Sequence, residues 1–215
     1  MKPELKQELV KYAKLLDKKG FVGTLEGNIS IYDREEGLLY ITPTTKRKGY
    51  LEEETVAVLK NGVQIGGNLK RSSEYLLHEA ALKARPDCNA VVHSHVPFLT
   101  AYAFCNKPVE IKCSTTFLIA IKKIPCLSYG QPGTPDIYHG IDDALKESNI
   151  ALLANHGVVC VGKDMESCVA LLETAEEVMK TYFIATKIGT PYNISEAEIE
   201  SLNVKYHGRA VGLAC

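Results

Sequence analysis

Val91-Val92-His93-Ser94-His95 is where this sequence most clearly concentrates groups able to do chemistry. Side chains alternate faces along a β-strand, so residues two apart project the same way. If this run is a strand, His93 and His95 present two imidazoles to one point at its end, which is half of a zinc site. The same pattern, taken alone, also describes two polar residues leaving a strand. A third histidine stands between an apolar run and a glycine, in Asn155-His156-Gly157. Loops held at the ends of a rigid sheet often carry functional groups, although a turn histidine bonded to its own backbone is the plainer alternative. Arg71-Ser72-Ser73-Glu74 puts two hydroxyls where a helix should begin. Free N–H groups there suit an anion such as phosphate, and the same residues also suit simple capping. Glu74 could be a ligand, a general base or only a favourable first-turn charge. Gly27-Asn28-Ile29-Ser30 and Thr42-Pro43-Thr44 set small polar residues at strand ends, to line a pocket or merely to punctuate loops.

These residues need elements to hold them. Leu5, Leu9, Tyr12 and Leu16 fall on one face of a helix over 3–19, with Gly20 as its stop. Strands are expected over 28–32 and 38–42. Asn61-Gly62 joins strands 55–60 and 63–65 in a hairpin. A helix capped by Ser72-Ser73 should run to about Arg85, before Pro86. A buried strand over 89–95 and a helix over 97–104 follow. Residues 115–121 fit either strand or helix, 124–127 a short strand and 136–147 a helix. Strands over 150–154 and 158–161 flank His156. The long helix over 165–188 turns Val169, Leu172, Ala175, Met179 and Phe183 inward, and Ser195 caps a last helix.

The 215 residues suit one domain with a sizeable core. A formal net charge of -1 excludes a general nucleic-acid binder, which would carry a basic excess. No apolar run is long enough to span a membrane, and the N-terminus lacks the apolar stretch of a secretory signal. The seven cysteines are odd in number and scattered without CxxC spacing, which points to reduced thiols and the cytoplasm. No lysine near the motifs shows a pattern of burial, so Schiff-base chemistry is not expected.

Taken together and in this order, the motifs resemble the class II aldolase and adducin-head family. They are Gly27-Asn28-Ile29-Ser30, Ile41-Thr42-Pro43-Thr44, Ser72-Ser73-Glu74 with His78, Ala90-Val91-Val92-His93-Ser94-His95, and Asn155-His156-Gly157. The resemblance spans nearly the whole chain. It implies a single three-layer α/β/α domain over 1–215, with a mostly antiparallel central sheet. It implies zinc, or another divalent transition metal, on His93, His95 and His156. Glu74 would be both the fourth ligand at rest and the catalytic base. Asn28, Thr44, Ser72 and Ser73 would bind phosphate, and the assembly would be a homotetramer with shared sites.

The activity implied is cleavage of a ketose 1-phosphate, fuculose-1-phosphate-like or a deoxypentulose phosphate, to dihydroxyacetone phosphate and an aldehyde. A dehydratase or a 4-epimerase of the same family is the alternative, with a non-catalytic adducin-head-like scaffold behind both. The epimerase pattern carries aspartate where this chain has Glu74, and the scaffolds have lost the ligands. Several positions depart from the aldolases. Thr45 stands where they usually carry glycine, Leu25-Glu26 where relatives favour small residues, and Arg71 where proline is common. Glu26 is expected to turn outward, away from the phosphate. Residues 113–116 lack the aldolase tyrosine acid, so Ser114, Thr115, Thr116 or the tail residues Tyr206 and His207 are left as candidates to reach a neighbour's site.

Overall fold

The middle strands of this chain are apolar on both faces, which requires helices on both sides of the sheet they form. The structure, a computed structural model, describes residues 1–206. Its strands are β1 (Asn28–Asp33), β2 (Leu38–Ile41), β3 (Ala57–Lys60), β4 (Val63–Gly66), β5 (Ala90–Ser94), β6 (Cys126–Leu127), β7 (Ile150–Leu153) and β8 (Gly157–Gly162). They form one sheet in the order β4-β3-β2-β1-β5-β8-β7-β6. The helices are α1 (Pro3–Lys18), α2 (Tyr75–Ala84), α3 (Pro97–Phe104), α4 (Ile141–Glu147), α5 (Met165–Ile188) and α6 (Glu196–Tyr206). Val92, Ile29, Ile31 and Val158 pack with Leu9 and Leu16 of α1, Leu99 of α3 and Leu172 of α5 on one face. On the other face Val91, Val159, Leu39 and Ile41 pack with Leu77 and Ala81 of α2 and Leu145 of α4.

The sheet is mostly antiparallel, as expected, but it is mixed by one parallel pair. Every neighbouring pair is antiparallel except β6 with β7, where the chain returns to the edge by a crossover rather than a hairpin. The Asn61-Gly62 hairpin forms, with both residues at positive φ as its two-residue turn demands. The helix expected over 136–147 is broken: a 3-10 turn, Pro135–Tyr138, precedes α4, and Gly140 sits between them at φ 84. Residues 117–121 form a π-helical turn. Phe183 is exposed rather than inward, because α5 runs on past the sheet after Met179. Cys105, Cys113, Cys126, Cys160 and Cys168 are free thiols; Cys215 and His207 lie outside the described residues. No helix among the described residues is long and apolar enough to cross a membrane.

Two acidic side chains, Asp164 at the surface and Glu176 in the interior, fix α3 and α5. Asp164 caps α5 through Ser167 N at 2.8 Å, and Ser167 Oγ reciprocates in a capping box. Glu176, on α5 and almost fully buried, accepts from Phe98 N at 2.9 Å and Leu99 N at 3.0 Å, two orphan donors at the start of α3. Glu176→Ala should therefore destabilise the protein by about 1.5–3 kcal/mol, and Glu176→Gln, which keeps an acceptor, by less. Urea unfolding of the two variants checks the order; equal losses would mean that packing, not the hydrogen bonds, is what Glu176 supplies.

Candidate active site

β5 lies in the middle of the sheet between β1 and β8, and its register sets His93 opposite Asn28 on one side and Val159 on the other. Strand alternation turns Val92 toward α1, α3 and α5, and His93 toward α2. Ser94 faces the first side again, donating to Phe21 O at 2.6 Å. His95 follows the strand by one residue. His156 sits in the three-residue turn between β7 and β8, made possible by Asn155 at φ 57 and closed by His156 N donating to Leu153 O at 3.0 Å. Gly157 is required at the end of that turn. A Cβ there would stand 2.5 Å from Ser94 O and 2.9 Å from His95 Cδ2, so any side chain would push the two histidine-bearing segments apart.

The three imidazoles meet edge to face, with ring centroids 4.8 to 4.9 Å apart. His93 Nε2 and His95 Nε2 are 3.0 Å apart. Glu74 brings one oxygen to 3.5 Å from His93 Nε2 and the other to 3.3 Å from His156 Nε2. Burial lowers the pKa of all three rings, taking His95 to about 4. They are therefore neutral near pH 7, and these contacts are not ion pairs. His93 Nδ1–H donates to Val158 O at 3.0 Å, which turns the lone pair of Nε2 inward. Four ligands at ~2.0–2.1 Å from a tetrahedral ion lie roughly 3.3 Å from one another. The contacts of 3.0, 3.3 and 3.5 Å are close to that edge length, and the three histidine ligand atoms all lie within 4.8 Å of one another. Glu74 Oε1 is buried without a hydrogen-bond partner, as a carboxylate oxygen awaiting a cation would be. The residues present thus fit a metal ion held by His93, His95, His156 and Glu74.

Glu74 stands just before α2, which begins at Tyr75 rather than at the expected Ser72-Ser73. Its Oε2 accepts from Asn28 Nδ2 at 2.7 Å. Behind Asn28 lies a chain that the sequence reading missed. Asn28 Oδ1 faces His78 Nε2, and His78 Nδ1 is 2.6 Å from Ser30 Oγ. Because the Asn28 amide donates to Glu74, its carbonyl must accept from His78 Nε2–H, and His78 Nδ1 then accepts from Ser30. Burial pushes His78 down to about 3, which keeps it neutral in this role. The available signal was spacing: His78 is one helical turn beyond Glu74, on the same side. Burial opposes ionisation of Glu74, yet its pKa is held below the usual carboxylate range, with the Asn28 amide donating to the carboxylate.

The four residues expected to hold phosphate lie on neighbouring segments. Ser72 N donates to Thr42 O at 3.2 Å, Pro43 bridges to Arg71, and Ile29 N donates to Thr42 Oγ1 at 3.2 Å. Asn28, Thr44, Ser72 and Ser73 are thereby gathered at one end of β1 and β2. Ser72 is buried and accepts from Glu74 N at 3.2 Å, whereas Ser73 is exposed. Thr45 adopts φ 56, the left-handed conformation that explains glycine at this position in aldolases. Glu26 is exposed, and its Oε1 lies 4.0 Å from His95 Nδ1, at the rim of the site. Arg71 lies flat over Tyr75, with its guanidinium carbon 3.5 Å from the ring centroid, and takes no part in the histidine cluster. Contrary to expectation, one lysine near the motifs is buried, Lys48. Ser114 and Thr116 line a groove of about 550 Å³ with Tyr182 and Tyr192, separate from the histidines.

Residues 7–183 match the class II aldolase and adducin N-terminal domain family. The chain is 30% identical over 206 residues to the 5-deoxy-D-ribulose 1-phosphate aldolase of Bacillus thuringiensis serovar kurstaki, covering 94% of this chain and 95% of that protein. It is 29% identical over 183 residues to the 3-oxo-tetronate 4-phosphate decarboxylase of Haemophilus influenzae, covering 83% and 86% of the two. Among solved structures, an L-fuculose 1-phosphate aldolase superposes with a TM-score of 0.87 at 28% identity, over 96% of this chain and 98% of that one. With its motifs at the positions where the geometry above brings them together, the chain belongs to the class II aldolase and adducin N-terminal domain family.

Proposed function

We propose that this protein is a zinc-dependent aldehyde-lyase that cleaves a ketose 1-phosphate, fuculose-1-phosphate-like or a deoxypentulose phosphate, to dihydroxyacetone phosphate and an aldehyde. The observation that carries this reading is the convergence of three neutral imidazoles on an ionised Glu74 at metal-ligand spacing. The ion, when bound, supplies Lewis-acid stabilisation of the negative charge that develops as a carbon–carbon bond breaks. His93, His95 and His156 hold the ion; the first is oriented by Val158 O. Glu74 moves the proton at its Oε1, the oxygen without a hydrogen-bond partner, while the Asn28 amide keeps Oε2 in place. Ser72, Ser73, Thr44 and Asn28 bind the phosphate. The ligand set is complete, which speaks against a scaffold role. A second reading comes from the Haemophilus influenzae relative: loss of carbon dioxide from a 3-oxo acid phosphate would build the same charge beside the same ion. Because decarboxylation of such an acid also leaves dihydroxyacetone phosphate, release of an aldehyde or of carbon dioxide from a panel of phosphorylated sugars and sugar acids separates the two.

A homotetramer is part of this proposal. Phe183, Ile184, Ile188 and Tyr192 are exposed on and just beyond α5 in the single chain, as surface covered by a second copy would be. Residues 114–117 and Tyr206 remain the candidates for donors to a neighbour's site. Light scattering that finds a fully active monomer would remove the shared site.

Elemental analysis of protein loaded with zinc and freed of excess should find one ion per chain. His93→Ala should lose it. Because burial lowers the pKa of all three rings below the ordinary 6.5, protons compete for the ligands only in acid. Metal retention should persist through pH 6.5 and fall below it; loss centred at or above that value would contradict the buried, neutral ligand set.

Glu74→Gln should lower turnover on the order of 10²–10⁴-fold while most of the metal stays bound, since three imidazoles remain. Steady-state rates set beside metal content provide the check. Near-full turnover would reduce Glu74 to a spare ligand.

A further inference from the structure

Lys48 opens a short 3-10 turn, Lys48–Tyr50, on the segment that leaves Thr44 and Thr45. The turn packs against α1, and Gly49 allows this because a Cβ would stand 2.6 Å from Asp17 Oδ2. Arg47 Nε pairs with Asp17 at 3.2 Å, so the nearest acid on α1 already has a cation. Lys48 itself is only 3% exposed. Its ammonium makes one hydrogen bond, to Thr24 O at 3.4 Å, and no ion pair among the described residues. An ammonium carries three donors. A buried cation with one long hydrogen bond is costly unless an anion completes it.

Its position shows where that anion would come from. Thr24 belongs to the loop that leads through Glu26 and Gly27 to Asn28. The same loop brings the Glu26 carboxylate to 4.0 Å from His95 Nδ1. Lys48 therefore lies beneath the loop that borders both the histidine cluster and Asn28. Its charge acts on His93 and His95, and those of Glu74 and of Asp17 act on it. Thr44, Ser72 and Ser73 are neutral donors, and Arg71 is engaged by Tyr75. Lys48 is thus the buried cation available to oppose both Glu26 and the charge of an incoming dianion.

We propose that Lys48 is a further binding residue of this site, whose ammonium contacts the phosphoryl group of the substrate beside Asn28, Thr44, Ser72 and Ser73. This rests on the phosphosugar reading above. It adds that the anion is met by a fixed positive charge, in addition to hydroxyls and backbone N–H groups.

The test is calorimetric titration of inorganic phosphate into the zinc-loaded protein at low ionic strength, for the natural chain, Lys48→Met and Lys48→Arg. Loss of a charge-assisted contact should weaken phosphate about ten- to hundredfold in Lys48→Met. Lys48→Arg, which keeps the charge, should retain most of the affinity. Zinc content and melting temperature are measured on the same samples. Removal of an unpaired buried charge should leave the melting temperature unchanged or raise it. Equal phosphate affinity in Lys48→Met would overturn the proposal, since it would place the binding on the metal or the serines alone. So would a natural chain that binds no phosphate, or a Lys48→Met variant that loses stability and zinc together, which would make Lys48 a structural residue. Tight, Lys48-dependent phosphate binding without aldol cleavage would sustain this proposal while refuting the reaction.

Discussion

Three neutral imidazoles and a carboxylate crowd about one point, an arrangement that a cation between them would relieve. That constraint governs the site. Burial keeps the rings neutral, so protonation does not relieve the crowding at neutral pH. Solvent reaches these groups unevenly: His93 is completely buried and Glu74 Oε1 is buried, whereas His95 and His156 are partly exposed. Folding must therefore hold like groups together in advance of the ion, and binding of the ion returns that free energy as stability of the loaded state.

The ligands are held with unequal firmness, and the inequality suits the proposed chemistry. His93 belongs to a strand bonded on both sides, by β1 and β8. His156 is set by a closed turn, and Gly157 lets that turn touch β5. Glu74 is different. It occupies a turn ahead of α2, at an N-cap position whose own side chain makes no capping bond. It is held from the side by Asn28, which His78 and Ser30 orient in turn. A ligand that also has to carry protons needs this kind of attachment: one oxygen restrained, the other free, on a segment that the sheet does not lock.

Much of this was legible in the sequence because it follows from period and local turn chemistry. His93 and His95 share a direction because strand side chains alternate, and Asn61-Gly62 makes a hairpin because both residues tolerate positive φ. The parallel pairing of β6 was not legible, since two residues at a sheet edge carry no period. Phe183 continued the helical stripe of α5 and gave no sign of where the sheet beneath it ends. His78 stood in plain view but was given no role, because an i, i+4 relation to Glu74 cannot disclose that Asn28 lies between them. Lys48 was invisible for a similar reason. Its burial is produced by Thr24 and α1, both distant in the chain, and nothing in the stretch from Thr44 to Tyr50 marks one lysine among its several cations.

The proposed metal half and the proposed anion half of the site are built differently, and this bears on how members of one family come to act on different substrates. The metal half is set by strand register, a closed turn and one helix start, so few substitutions leave it intact. The anion half is made of loop side chains, where the departures of this chain gather: Thr45 stands at a left-handed backbone position, Glu26 brings a carboxylate to the rim, and Lys48 sets a buried cation beneath the same loop. A β-branched residue at positive φ is strained, on the order of 1–3 kcal/mol, and persists only where its surroundings over-determine it. The charges around the loop, by contrast, can vary without disturbing the ligands on β5, β8 and α2.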